Sequence, residues 1–144
     1  MTQACGQCLC GKVKFAATGV HRDHHACHCE MCRRWTGGPA FAAEVAALEL
    51  TAGQEYVRRY ASSAWADRAF CSHCGANLYF YMRPTNTYYV SVGAFDDQTP
   101  FTLVGEIFVD LQPPGYAFAG ELERLTEADV VAAMAGAAPP EAEA

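Results

Sequence analysis

Short stretches in which polar and apolar residues alternate recur along this chain of 144 residues. One of the clearest is the segment KVKFA, and a period of two is typical of a β-strand with one buried face. Gly, Pro and Asn separate these stretches, as at Gly37-Gly38-Pro39. The pattern predicts a mainly β fold. Its predicted strands are Lys12–Ala16, Pro39–Val45, Glu55–Tyr60, Asn77–Met82, Thr87–Val92 and Glu106–Leu111.

Two segments are better suited to helices. Cys29–Trp35 is long enough for one helical turn, and Thr126–Ala135 predicts one short C-terminal helix. Thr126 is a favourable N-cap, and the acidic residues that follow it suit the positive end of the helix dipole. The apolar face of this helix would comprise Val130, Val131 and Met134.

Composition favours one globular domain, since 51% of the residues are hydrophobic. We expect this domain to span residues 1–136 and the Pro-, Ala- and Glu-rich residues 137–144 to form a disordered tail. The sequence contains no apolar run typical of a signal peptide or a membrane span. We therefore expect a cytoplasmic protein without membrane association.

The eight cysteines fall into three tight clusters, C-x-C, C-x-C-x-x-C and C-x-x-C, and such spacings suit a soft metal ion better than disulfides. Zinc is the default ion for clustered thiolates. The clusters consist of Cys5, Cys8 and Cys10, of Cys27, Cys29 and Cys32, and of Cys71 and Cys74.

The pair Cys71 and Cys74 offers only two ligands, so a closed site needs a second pair. Cys8 and Cys10 are the natural partners, and joining the pairs closes a loop of roughly 60 residues. Gly75 follows the second ligand at a position where a positive φ is often needed. His73 lies between two better ligands and is expected to point to solvent.

Cys27, Cys29 and Cys32 can hold zinc with a fourth position open to substrate, which is typical of a catalytic site. The alternative is that another residue closes this site and makes it structural. His28 is expected to face away from the metal because it alternates with Cys27 and Cys29. The candidates for a fourth ligand are Cys5, His24 and His25.

The formal charge of −6 argues against nucleic acid as a partner, because an acidic surface repels phosphate. One four-thiolate and one three-thiolate zinc site would add charges of −2 and −1, giving about −9. The sequence makes no prediction about the oligomeric state.

Three motifs, CGQCLCGKVKF, CHCEMCRRWTGGPAF and RAFCSHCGANLYF, resemble the glutathione-dependent formaldehyde-activating enzyme family, whose domain is shared with centromere protein V. The resemblance implies an Mss4-like, zinc-stapled β fold. It further implies that Cys8, Cys10, Cys71 and Cys74 bind a structural zinc, and that Cys27, Cys29 and Cys32 bind a catalytic one. Cys5 lies outside the family pattern, and the terminus that carries it, Met1–Cys5, is expected to fray.

Two late positions differ from the family pattern. Glu106-Ile107 stands where members often have His-Ile, and Pro114-Gly115 stands where they often have Pro-Trp. The resemblance therefore does not identify the aldehyde or the thiol. Arg68 precedes the third motif, and it is expected to be an exposed strand residue, with contact to a glutathione carboxylate as the alternative.

Two functions follow from this reading. The first is a zinc-dependent carbon–sulfur lyase that acts on an adduct of a thiol such as glutathione with formaldehyde or a related aldehyde. The second is a non-enzymatic, zinc-stabilised interaction module. An open ligand position at the second zinc distinguishes them, because only the lyase needs it.

Overall fold

The computed structural model describes residues 3–137, and they fold into two β-sheets. A three-stranded antiparallel sheet contains β1 (Gln3–Gln7), β2 (Lys14–Thr18) and β5 (Ala47–Ala52) in the order β1-β2-β5. The second sheet has eight strands in the order β11-β10-β3-β4-β9-β8-β7-β6. These strands are β3 (Asp23–Cys27), β4 (Ala40–Val45), β6 (Val57–Ala61), β7 (Ala66–Cys71), β8 (Asn77–Met82), β9 (Thr87–Ser91), β10 (Thr102–Ile107) and β11 (Glu123–Leu125).

One apolar core joins the two sheets. Phe15 and Ala17 of the small sheet belong to the same buried cluster as Val45, Leu78 and Val90 of the large sheet. Burial of aliphatic and aromatic side chains stabilises the fold by about 25 cal/mol per Å² of apolar surface. The mainly β fold predicted from the alternating pattern is thus confirmed.

Within residues 3–137, two α-helices accompany the sheets. The first, α1 (Glu30–Thr36), follows β3, and the second, α2 (Glu127–Ala137), follows β11. The Thr126 Oγ1 accepts a hydrogen bond from the Asp129 N–H at 3.2 Å, as expected of an N-cap. The predicted apolar face of α2 is only partly covered, because Val131 is 56% exposed. None of the helices described is long and apolar enough to cross a bilayer.

Several predicted strand boundaries are correct, and others are wrong for identifiable reasons. Asn77–Met82 is a strand as predicted, whereas the strand predicted at Glu106–Leu111 ends at Ile107. Phe108 adopts a left-handed conformation with φ 57°, and a 3-10 turn then covers Val109–Leu111. The expected fraying near Cys5 does not occur from Gln3 onward, because β1 pairs with β2. Of the predicted disordered tail, residues 138–144 lie outside the described residues.

Candidate functional site

The structure brings together four cysteines, Cys8, Cys10, Cys71 and Cys74, in a group that we call the closed cluster. It lies where the two sheets meet. Cys8 and Cys10 lie in the turn between β1 and β2, Cys71 ends β7, and Cys74 lies in the turn before β8. Their four sulfur atoms lie within 4.8 Å of one another. The Cys8–Cys10 and Cys10–Cys71 Sγ distances are 3.6 and 3.9 Å. A tetrahedral zinc with bonds of about 2.3 Å to sulfur requires sulfur separations of about 3.8 Å, so these residues fit such an ion.

The turns that carry these sulfurs are fixed by backbone hydrogen bonds. Gly75 has φ 81°, as its place after the second ligand predicts, and its N–H donates to the Cys71 carbonyl at 2.7 Å. The Val13 N–H donates to Cys8 Sγ at 3.3 Å. Burial raises the pKa of the Cys74 thiol, but the backbone N–H groups of Ala76 and Cys10, together with the Cys71 and Cys10 thiols, outweigh it and bring that pKa to about 6. The backbone N–H of Lys12 lowers the pKa of Cys10, but burial and the neighbouring thiols outweigh it and raise that pKa to about 11. In this cluster the thiolate is therefore favoured at Cys74 rather than at Cys10.

The second cluster, which we call the tripod, consists of Cys27, Cys29 and Cys32, with all three sulfurs within 4.8 Å of one another. Cys27 ends β3, Cys29 is the N-cap of α1, and Cys32 lies in the first turn of that helix. The Cys29 Sγ accepts a hydrogen bond from the Cys32 N–H at 3.4 Å. Cys32 is buried, whereas Cys27 and Cys29 are only partly buried, so the tripod is accessible from their side.

The structure does not bring the rival ligands to the tripod. Cys5 is exposed on β1 and belongs to neither cluster. His24 packs between the rings of Phe41 and Phe101, each 6.2 Å away. His25 directs its Nε2 to Glu123 at 3.4 Å. Within residues 3–137, the tripod therefore has three sulfur ligands and no fourth from this set.

Hydrogen bonds among the thiols of the tripod shift their pKa values in opposite directions. Hydrogen bonding to Cys29 raises the pKa of Cys27, and the same contact lowers the pKa of Cys29. A thiolate is thus stabilised at Cys29, next to the N-terminus of α1.

His28 faces away from the tripod, as its alternation predicts, and it enters a buried polar network. Its Nε2 lies 2.8 Å from Glu106 Oε1, and its Nδ1 lies 2.8 Å from the Tyr116 hydroxyl. Because a carboxylate only accepts, Nε2 donates to Glu106, and Nδ1 shares a hydrogen bond with the Tyr116 hydroxyl, which can donate or accept. Arg124 completes the network with Nη1 2.7 Å from Glu106 Oε2. His28 and Glu106 are 0% and 1% exposed.

This network fixes the backbone that carries the tripod. The His28 N–H donates to the Ile107 carbonyl at 3.1 Å, and the Arg33 Nε donates to the His28 carbonyl at 2.9 Å. Sequence reasoning did not find the roles of Tyr116 and Arg124. The sequence signal for this network is Glu106, which departs from the family pattern, because a carboxylate in an apolar strand needs buried partners.

Arg68 is buried rather than exposed, which corrects the expectation from the sequence. It is 7% exposed because Trp35 of α1 and Phe80 of β8 cover its guanidinium, each ring centroid lying 5.0 Å from the Cζ atom. Phe80 is its cross-strand neighbour. Its Nη1 lies 4.0 Å from Cys32 Sγ. A residue of β7 thus reaches the tripod.

Gly37 has a structural role at the end of α1. It adopts φ 87°, and its N–H donates to the Arg33 carbonyl at 2.9 Å. A glycine in this conformation is a common C-cap. The segment WTGG therefore forms the end of α1 and its C-cap.

Comparison with known proteins places this arrangement in a family. The sequence profile of the glutathione-dependent formaldehyde-activating enzymes (GFA) matches residues 3–111, which include both cysteine clusters. The chain belongs to the GFA family. The resemblance of its three motifs to this family is thereby confirmed.

One relative and one solved structure of similar fold extend the comparison for this GFA protein. An uncharacterized lyase of Schizosaccharomyces pombe is 32% identical over 127 residues, which cover 88% of this chain and 93% of the relative. A crystal structure of a Rhodobacter sphaeroides protein is similar in fold, with a TM-score of 0.57 and 24% identity. The match covers 85% of this chain and 99% of that one. Two members of the buried network around His28, Tyr116 and Arg124, lie beyond residues 3–111, which match the family profile.

Proposed function

We propose that this protein is a zinc-dependent carbon–sulfur lyase that forms and cleaves the adduct of glutathione with formaldehyde or a related small aldehyde. The tripod carries the proposal, because three clustered sulfurs without a fourth ligand from the described residues are typical of a catalytic rather than a structural zinc. Membership in the GFA family and the lyase relative support the same chemistry.

The two clusters would hold one zinc ion each. Cys8, Cys10, Cys71 and Cys74 would hold a structural ion, and Cys27, Cys29 and Cys32 a catalytic one. Soft thiolates select zinc among the common divalent ions. Held by Cys27, Cys29 and Cys32, a zinc ion would lower the pKa of a substrate thiol and so supply the nucleophilic thiolate.

The reaction is an addition that balances without a further reactant. The glutathione sulfur bonds to the aldehyde carbon, the carbonyl π electrons move to the oxygen, and the thiol proton ends on that oxygen as a hydroxyl group. The reverse step breaks the carbon–sulfur bond and regenerates thiol and aldehyde. Holding both reactants in one site contributes through proximity, which reaches several kcal/mol in favourable cases.

The chain's own residues position this chemistry. Cys27 and Cys29 form the accessible side of the tripod, and Cys32 lies on the buried side next to Arg68. The network around His28 holds the backbone between Cys27 and Cys29 in place. A rigid support of this kind keeps the ligands in a productive geometry.

A rate measurement tests the proposal. Exchange between formaldehyde, glutathione and S-hydroxymethylglutathione is followed by NMR with zinc-loaded protein. We expect the wild-type protein to accelerate the exchange and Cys29→Ser to return it to the uncatalysed rate. Cys5→Ala is the matched control, because it removes an exposed cysteine outside both clusters and should leave the rate unchanged.

A wild-type protein that binds two zinc ions and does not accelerate the exchange would contradict the lyase. It would favour the interaction module, for which zinc only stabilises the fold.

A further inference from the structure

Arg68 is a buried charge without a carboxylate partner. It is 7% exposed, and its Nε has no hydrogen-bond partner. Within residues 3–137, no Asp or Glu oxygen lies within 4.0 Å of its guanidinium. A buried charge of this kind is costly unless an anion compensates it.

The neighbours of Arg68 narrow the choice of that anion. On β6 and β8 its cross-strand partners are Tyr60 and Phe80, and on α1 the indole ring of Trp35 covers it. The rings of Trp35 and Phe80 orient the guanidinium by cation–π contact, and none of these neighbours brings a full charge. Asp67, its neighbour in β7, instead pairs with Arg59 and Arg83. The remaining anionic group is the tripod, which Arg68 reaches at Cys32.

We propose that Arg68 is the counter-cation of the tripod and that its charge allows an anionic thiolate to bind as the fourth ligand. The inference rests on the proposed function and adds a positioning residue that acts through Cys32. Three thiolates and one zinc ion carry a net charge of −1, which a thiolate would raise to −2. With Arg68 included, these charges become 0 and −1, so the thiolate enters a neutral site.

This role predicts an effect that depends on the charge of the ligand. Removing the guanidinium should weaken the binding of an anion and leave the binding of a neutral ligand unchanged. A purely structural role would weaken both alike, because a distorted tripod binds every ligand less well.

The test uses cobalt-substituted protein, whose absorption reports ligand binding at the tripod. Glutathione is the anionic probe. Imidazole, at a pH where it is neutral, is the uncharged probe. For Arg68→Gln we expect affinity for glutathione to fall by about tenfold or more while imidazole affinity stays within about twofold. Arg58→Gln is the control, because Arg58 is exposed on β6 and bonds only to backbone carbonyls.

Arg68→Lys is a second test variant in case Arg68→Gln does not fold. It loses the planar group that stacks on Trp35 and Phe80 but keeps the charge on which the proposal depends, so glutathione binding should stay within about threefold of wild type. Equal losses for both ligands, an unchanged glutathione affinity in Arg68→Gln, or loss of glutathione binding in a folded Arg68→Lys would overturn the inference.

These outcomes are separable from those of the lyase proposal. If Arg68→Gln binds glutathione like wild type, this inference fails and the lyase stands. If the charge-dependent loss is found but wild type does not accelerate the exchange, the lyase fails and the role of Arg68 stands. A wild-type protein that binds neither probe contradicts both.

Discussion

Two histidine–glutamate pairs connect the β3 region to the C-terminal strands, and they differ mainly in burial. His28 and Glu106 are 0% and 1% exposed in their side chains, whereas His25 and Glu123 are 39% and 61% exposed. Water screens the exposed pair, so its net contribution to stability is small. The buried pair, by contrast, leaves an uncompensated polar group in the interior when either partner is removed.

We therefore expect Glu106→Ala to lower the free energy of unfolding by about 1–3 kcal/mol, because the buried His28 Nε2 loses its acceptor. The matched change Glu123→Ala should cost less than about 1 kcal/mol. Urea unfolding at pH 7 with zinc present measures both. Small and equal losses would show that the network around His28 does not support the tripod's backbone.

At the scale of single residues, the sequence predicts ligands better than their surroundings. Each cysteine motif is local, so spacing identifies the clusters, whereas the exclusion of Cys5 as a ligand rests on the resemblance to the family. Arg68 is different: its burial depends on Trp35 and Phe80, which come from two other elements. Contacts between distant segments leave no local pattern, and a strand arginine is therefore expected to be exposed.

At the scale of elements, alternation predicts strands whose inward positions are apolar. Asn77–Met82 is such a strand. The side chains of Asp23–Cys27 also alternate in burial, but the polar His24 is one of the buried residues. The sequence therefore does not show the apolar–polar alternation that predicts a strand. The strand Ala66–Cys71 is not predicted from the sequence either, because the charged Arg68 is buried and the pairing is irregular between Ala69 and Phe70. Polar residues that turn inward thus conceal strands near the site.

The two clusters are built differently at this scale, which predicts different effects of losing one cysteine. Cys71→Ser removes a ligand from a cluster that joins turns 61 residues apart, as the Cys10–Cys71 contact shows. Structural zinc contributes directly to folding, and total stability is only about 5–15 kcal/mol, so this variant should unfold or aggregate. Cys29→Ser should stay folded, because the tripod spans only residues 27–32.

Metal analysis and thermal melting together check this prediction. Wild type should contain about two zinc ions per chain and Cys29→Ser about one, because the closed cluster remains intact. Equal destabilisation by the two substitutions would indicate two structural sites and would count against the lyase.

At the scale of the whole molecule, the shared core packs the small sheet against the large one, and a zinc ion in the closed cluster would tie them together. The tripod then lies on the large sheet, at the end of β3 and the start of α1. The sequence predicts the class of fold and the groups of cysteines that the structure brings together. It does not predict the parallel pairing of β10 with β3, which brings Glu106 to His28, because alternation carries no information about strand order.

The central claim is that the tripod binds a metal with one position open to a thiol. The most direct measurement is the absorption spectrum of the cobalt-substituted protein during titration with glutathione, for wild type and for Cys5→Ala. We expect glutathione to change the charge-transfer and d–d bands of both proteins alike, because Cys5 is outside the tripod. A wild-type spectrum indifferent to glutathione would contradict the account.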